Sequence, residues 1–89
     1  MTLNDQSSRL RALLVTVDGL PDSDVEAISV LIDAGEDVIA LETLATQIYE
    51  YDIELVEPKL TELFNLGTML NVRVGYLLGE SCGEISSDG

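Results

Sequence analysis

The sequence predicts an all-α fold, a compact bundle of four to five short helices. Apolar side chains return at helical spacing, and Gly, Pro and capping residues punctuate the runs. Hydrophobic residues at 46% and charged ones at 24% exceed what a disordered acidic tail carries, so the chain folds. Its 89 residues enclose one core at most, which gives a single helical domain over 1–80 and a flexible acidic tail over 81–89.

Leu10, Leu13, Leu14 and Val17 follow the i, i+3, i+4, i+7 spacing of an amphipathic helix. That helix begins near Asn4 or Asp5 and stops at the turn Asp18-Gly19-Leu20-Pro21. Ser23-Asp24-Val25-Glu26 fits a capping box, in which Ser accepts from a free amide and Glu reaches back to the cap. Val25, Ile28, Leu31 and Ile32 then form the apolar stripe of a second helix ending before Gly35. Glu36 and Asp37 place negative charge at the positive end of a third helix that runs to about Tyr51. Its expected core face is Val38, Leu41, Leu44, Ala45 and Ile48. Pro58 suits the first turn of a fourth helix, whose inward face Leu60, Leu63, Phe64 and Leu70 is interrupted by Gly67. Val72 to Leu78 reads as a final helical turn or as an extended segment packed on the bundle.

Four Lys and Arg stand against seventeen Asp and Glu, a formal net charge of −13. Nucleic acid and anionic membranes both reward cations, so neither is an expected partner, and a basic protein is. The bases are Arg9, Arg11, Lys59 and Arg73, and the stretch from Ala12 to Pro58 has none. The acidity is therefore central. There is no long apolar run, and Met1 to Leu10 lacks the basic-then-apolar layout of a secretion signal, so the cytoplasm is the expected address.

The composition excludes several chemistries. Without any His there is no imidazole base for a Ser-His or Cys-His nucleophile. Cys82 is alone, which rules out an internal disulfide, and zinc ligands are lacking. Asp22-Ser23-Asp24-Val25-Glu26 suggests a calcium loop, but Ala27 stands where the turn requires Gly and the closing acid is missing. Gly67, Gly75 and Gly79 are scattered and form no phosphate loop. The expectation is a protein that is not an enzyme and uses neither metal nor cofactor.

What remains is an acidic field with aromatics embedded in it, Tyr49-Glu50-Tyr51-Asp52-Ile53-Glu54. On a helix whose core face passes through Leu44 and Ile48, Glu42, Tyr49 and Glu50 point outward, and Tyr51 turns inward. An exposed Tyr flanked by carboxylates supplies contact area while its neighbours pair with Arg or Lys across an interface.

The run Leu31-Ile32-Asp33-Ala34-Gly35-Glu36-Asp37-Val38-Ile39-Ala40-Leu41-Glu42-Thr43-Leu44, continued by Gln47-Ile48-Tyr49-Glu50-Tyr51-Asp52-Ile53, resembles a known pattern. It is similar to small immunity proteins of bacterial toxin systems, of the MafI and contact-dependent-inhibition type. Those families share an apolar pair, a Gly-Glu turn, an Ala-Leu-Glu-x-Leu helix and a Tyr-Glu-Tyr-Asp-like ending. The resemblance implies a small helical protein that stays in the producing cell and neutralises the toxic domain of a secreted effector, often a nuclease, by binding it. Its partner-binding residues would be Asp33, Glu36 and Asp37 at the turn between the second and third helices, with Glu42, Tyr49, Glu50, Asp52 and Glu54 along and beyond the third. The carboxylates would pair with Lys or Arg of the toxin, and Tyr49 would be the packed anchor. A homodimer of the free protein stays open. So do an acidic nucleic-acid-mimic inhibitor, a helical adaptor without a toxin partner, and an acyl-carrier-like protein, in which Asp24 replaces the Leu of the Asp-Ser-Leu attachment motif.

Overall fold

The computed structural model describes residues 5–78; the tail expected over 81–89, with Cys82, lies outside them. Five helices follow in order: α1 Asp5–Thr16, α2 Asp22–Asp33, α3 Asp37–Glu50, α4 Lys59–Leu70 and α5 Val74–Leu77. No strand occurs among the described residues, so the protein is the small all-α bundle that the periodicity predicts. The segment Val72 to Leu78, readable either way in the sequence, contains the single helical turn α5.

Helix α3 packs against each of the other four helices, whereas α2 touches only α1 and α3. The core forms around it from Leu10, Leu13 and Leu14 of α1, Ile28 and Ile32 of α2, and Leu63 and Leu66 of α4. Helix α3 contributes Ala40, Leu41, Leu44, Ala45 and Ile48. Val38, expected in that face, is 41% exposed. It lies roughly 120° around the helix from Leu44, and Ala40 only roughly 40°. The small Ala side chain takes the buried flank.

A similar correction applies to α4. Phe64, expected inward, is 37% exposed, because it stands roughly 160° around the helix from the fully buried Leu66. Gly67 does not interrupt the buried face but belongs to it. A Cβ at Gly67 would sit 2.6 Å from Val74 Cγ2 and 2.9 Å from the Val72 carbonyl oxygen. The chain returning from α4 to α5 passes too close for any side chain there.

Three helices end the same way. After α2, Gly35 adopts φ +82°, its amide donates to the Ile32 carbonyl at 3.0 Å, and the Glu36 amide donates to Leu31 at 2.9 Å. After α3, Asp52 takes the left-handed position with φ 53°, and the Ile53 amide donates to the Ile48 carbonyl at 2.9 Å. After α4, Asn71 takes it with φ 61°, and the Val72 amide donates to Gly67 at 2.7 Å. Each left-handed residue lets the chain reverse while satisfying carbonyls that a helix end leaves open. The start of α2 departs from expectation. Pro21 caps it with φ −63°, and its carbonyl accepts from the amides of Asp24 and Val25 at 3.0 and 3.1 Å. The fixed proline φ starts the helix earlier, so Ser23 falls inside the first turn and makes no capping bond.

Helices α1 and α4 are clamped by charge. Arg9 Nε donates to Glu62 Oε2 at 2.8 Å and Arg9 Nη2 to Oε1 at 2.9 Å, a two-pronged pair. One turn earlier in α4, Lys59 Nζ donates to the Thr16 carbonyl at 2.7 Å, a cation at the negative end of α1. The hydrogen bonds from Arg9 hold the Glu62 carboxyl below its ordinary pKa against a smaller opposing effect of burial, and Arg9's positive charge adds to the lowering. A lowered carboxyl pKa contributes stability that is present above the ordinary value and lost as pH falls through the lowered one.

Gly67→Ala is expected to destabilise the fold by roughly 1–3 kcal/mol, since a backbone oxygen must move, and Gly35→Ala by about 1 kcal/mol from its positive φ alone. Urea unfolding at unchanged m-value measures both. A double-mutant cycle of Arg9→Met and Glu62→Gln is expected to give a coupling of about 0.5–1 kcal/mol at neutral pH, shrinking as Glu62 protonates.

Candidate partner-binding surface

The residues predicted to bind a partner are brought together in part. Those on α3 form a strip rather than a point. Glu36 caps its N-terminus and Glu50 ends it, so the two are separated by roughly 20 Å along the axis. Glu42 and Tyr49 are seven residues apart and share one face. Tyr49 is 56% exposed, and Glu42 and Glu50 are exposed with it.

The connection to α4 extends this surface by a different periodicity. Ile53 and Leu55 turn inward and pack on the core, while Asp52, Glu54 and Val56 are exposed. This period of two presents Asp52 and Glu54 to solvent. Asp52 also carries the left-handed turn, which gives it a structural role beside any binding role. Tyr51, expected inward, is instead 45% exposed. Helix α3 ends at Glu50, and the turn at Asp52 delivers Ile53 to the inward position that Tyr51 would have taken. Tyr51 stands beside Asp24 of α2. Hydrogen bonding to that carboxylate is the main cause that raises the phenol's pKa, followed by desolvation and by the charges of Asp24 and Glu50.

Two of the predicted residues are engaged within the fold. Asp33, at the end of α2, is ion-paired with Arg11 of α1. Asp37 is half-buried, and its Oδ2 accepts from Ser7 Oγ at 2.6 Å. Its Oδ1 is buried without a hydrogen-bond partner among the described residues. These contacts fasten the α2–α3 corner to α1. Asp33 stays exposed despite its ion pair, and Glu36, Glu42, Tyr49, Glu50, Asp52 and Glu54 face outward without one.

Three of the four cations are engaged in contacts between helices. Arg9 and Lys59 are bonded across the α1–α4 seam, Arg11 is paired with Asp33, and Arg73 stands exposed at the N-cap position of α5, a helix that packs against α3. Helices α2 and α3 and the link that follows contain no Lys or Arg. Among the described residues no group of three Asp, Glu, Cys or His side chains converges as metal ligands do. No helix among the described residues is long and apolar enough to cross a membrane. An open cleft of about 600 Å³ lies between α1 and the end of α2, crossed by the Arg11–Asp33 pair. A second, of about 490 Å³, lies beside the outward face of α3.

Exposed apolar residues on the strip, Val38 and Ile39, are absent from the set that the sequence suggests. Their position relative to Leu44 is the signal that distinguishes them from the core. Comparison with protein-family models, with curated proteins and with solved structures finds no match to this chain.

Replacing the Asp24 carboxylate is expected to return Tyr51 toward ordinary phenol behaviour. In Asp24→Asn the Tyr51 titration, followed by ultraviolet absorbance against a Tyr51→Phe background, moves to lower pH.

Proposed function

We propose that this chain is an immunity-type protein that binds and neutralises a basic toxin domain through its acidic surface. The observation that supports this reading is the segregation of charge. One side of the molecule, built from α3 and the segment after it, exposes Glu36, Glu42, Glu50, Asp52 and Glu54 around Tyr49, and no cation lies on those elements. The cations at the α1–α4 seam are occupied in holding helices together. A nuclease must present Lys and Arg to a phosphate backbone, so an acidic protein can cover that surface without chemistry of its own. It would act in the cytoplasm of the producing cell.

The spacing of carboxylates favours discrete ion pairing over imitation of a nucleic-acid strand. Glu36, Glu42 and Glu50 are separated by roughly 9 and 12 Å along α3, against roughly 3.4 Å of duplex axis per charge on one DNA strand. Tyr49 then packs at the centre while the acids choose individual Lys and Arg partners.

The reading is tested with the product of the neighbouring gene, the place where a cognate toxin would be encoded, by co-purification and then by binding kinetics. The association rate is expected to fall roughly tenfold or more from low to high salt, and Tyr49→Ala to weaken binding by roughly 2 kcal/mol through faster dissociation. Absence of a complex, or an association rate indifferent to salt, contradicts the proposal.

A further inference from the structure

Charge alone does not explain the outward face of α3. Val38 is 41% exposed, Ile39 46% and Tyr49 56%, within an arc of roughly 100° that also holds Glu42, and Glu50 lies roughly 20° beyond its edge. Single exposed Val residues occur on α1 and α2 as well, at Val15 and Val30, but on α3 three large apolar side chains share one arc. Thr43 and Thr46 complete the strip, and the Thr43 hydroxyl is already satisfied by the Ile39 carbonyl at 2.8 Å. Beside it, α5 contributes Leu77 to the open cleft of about 490 Å³, whose other walls are Glu42, Thr43, Thr46 and Gln47. Glu42 is the one charge in that lining.

The geometry points to this strip and cleft as a docking groove for an amphipathic segment of a basic protein, an apolar ridge with Lys or Arg on its flanks. The inference rests on the reading of the chain as an acidic binding protein, and adds what the partner must bring to the centre of the contact. Val38 and Tyr49 are roughly 16 Å apart along the axis, enough for about three turns of a docked helix. Glu42 lies between them and Glu50 at the far end, placed to meet flanking cations while the ridge covers Val38, Ile39 and the cleft. The apolar centre would supply affinity and the acidic rim rate and orientation.

Charge selects this occupant over a second copy of the chain. Two copies bring −13 each, and packing α3 on α3 opposes carboxylates with no Lys or Arg on either helix. An apolar ridge flanked by cations satisfies both the hydrophobic and the electrostatic demands of the face.

Three synthetic helical peptides serve as probes against the full chain, read by backbone amide shifts. One has Leu at i, i+3, i+4 and i+7 with Lys elsewhere, the second replaces its Leu by Ser, and the third replaces its Lys by Glu. The Leu/Lys peptide is expected to move the amides of the α3 strip and Leu77, with both controls binding roughly tenfold or more weakly. Val38→Ser with Ile39→Ser is expected to cost the Leu/Lys peptide roughly tenfold, and Val15→Ser with Val30→Ser, at exposed sites on α1 and α2, to leave it unchanged. Unchanged amide dispersion verifies that each variant folds.

Binding untouched by the Val38 and Ile39 changes, or shifts confined to other elements, overturns the groove. If Glu42→Gln with Glu50→Gln abolishes binding while the serine pair has no effect, the acidic-partner reading stands and the groove falls. If no Lys peptide binds, the groove falls, and co-purification with the product of the neighbouring gene still decides the wider reading. Self-association of the free chain that the serine pair abolishes assigns the strip to a second copy. Movement of the α3 amides on deletion of residues 79–89, before any peptide is added, assigns it to the chain itself. Either result overturns the inference.

Discussion

Burial of one face of α3 supports the remainder of the molecule. Leu41 and Leu44 are fully enclosed by side chains from the surrounding helices, and Ala40 and Ala45 on their flanks allow close approach. A central helix in so small a bundle cannot be wrapped on all sides, because the remaining helices are short and two of the connections reverse within a few residues. The uncovered side of α3 is therefore both exposed and rigidly held. A partner docking on that side, as proposed, would meet a helix whose opposite face is fully buried, which would limit the ordering entropy lost on association.

The distribution of charge follows from the same arrangement. Seventeen carboxylates with four Lys and Arg would repel one another on any compact surface, and repulsion is a tax on a domain with little core. The fold spends its cations where two helices meet, Arg9 on Glu62 and Lys59 on the end of α1. Arg11 holds Asp33 at the α1–α2 contact. The exposed acids of α3 and of the segment after it, Glu36, Glu42, Glu50, Asp52 and Glu54, stand on elements that carry no Lys or Arg.

Much of the fold is legible in the sequence because each helix announces itself locally. The spacing of Leu10, Leu13, Leu14 and Val17 and the stop at Gly35 are both realised. What misleads is phase. Val38 and Phe64 sit at acceptable helical intervals from true core residues, but the arc that becomes buried depends on which neighbours arrive from elsewhere in the chain. Ser23 matches a capping pattern that Pro21 forestalls by starting the helix first. Gly67 reads as a break when considered alone, and only the return of Val72 and Val74 shows it to be a contact. The acidic strip was legible from composition together with the outward phase of Glu42 and Tyr49. The engagement of Asp33 and Asp37 was not, since Arg11 and Ser7 lie far away in sequence.

Growth rescue tests the central claim most directly. Cells expressing the product of the neighbouring gene, as the proposed toxin, are supplied with the wild-type chain or with a variant carrying Glu42→Gln, Glu50→Gln and Glu54→Gln, substitutions at exposed sites that leave the core untouched. Full protection by the wild type and its loss in the neutralised variant, at equal soluble abundance, is the expected result. Undiminished protection by the neutralised variant, or none from the wild type, would contradict it.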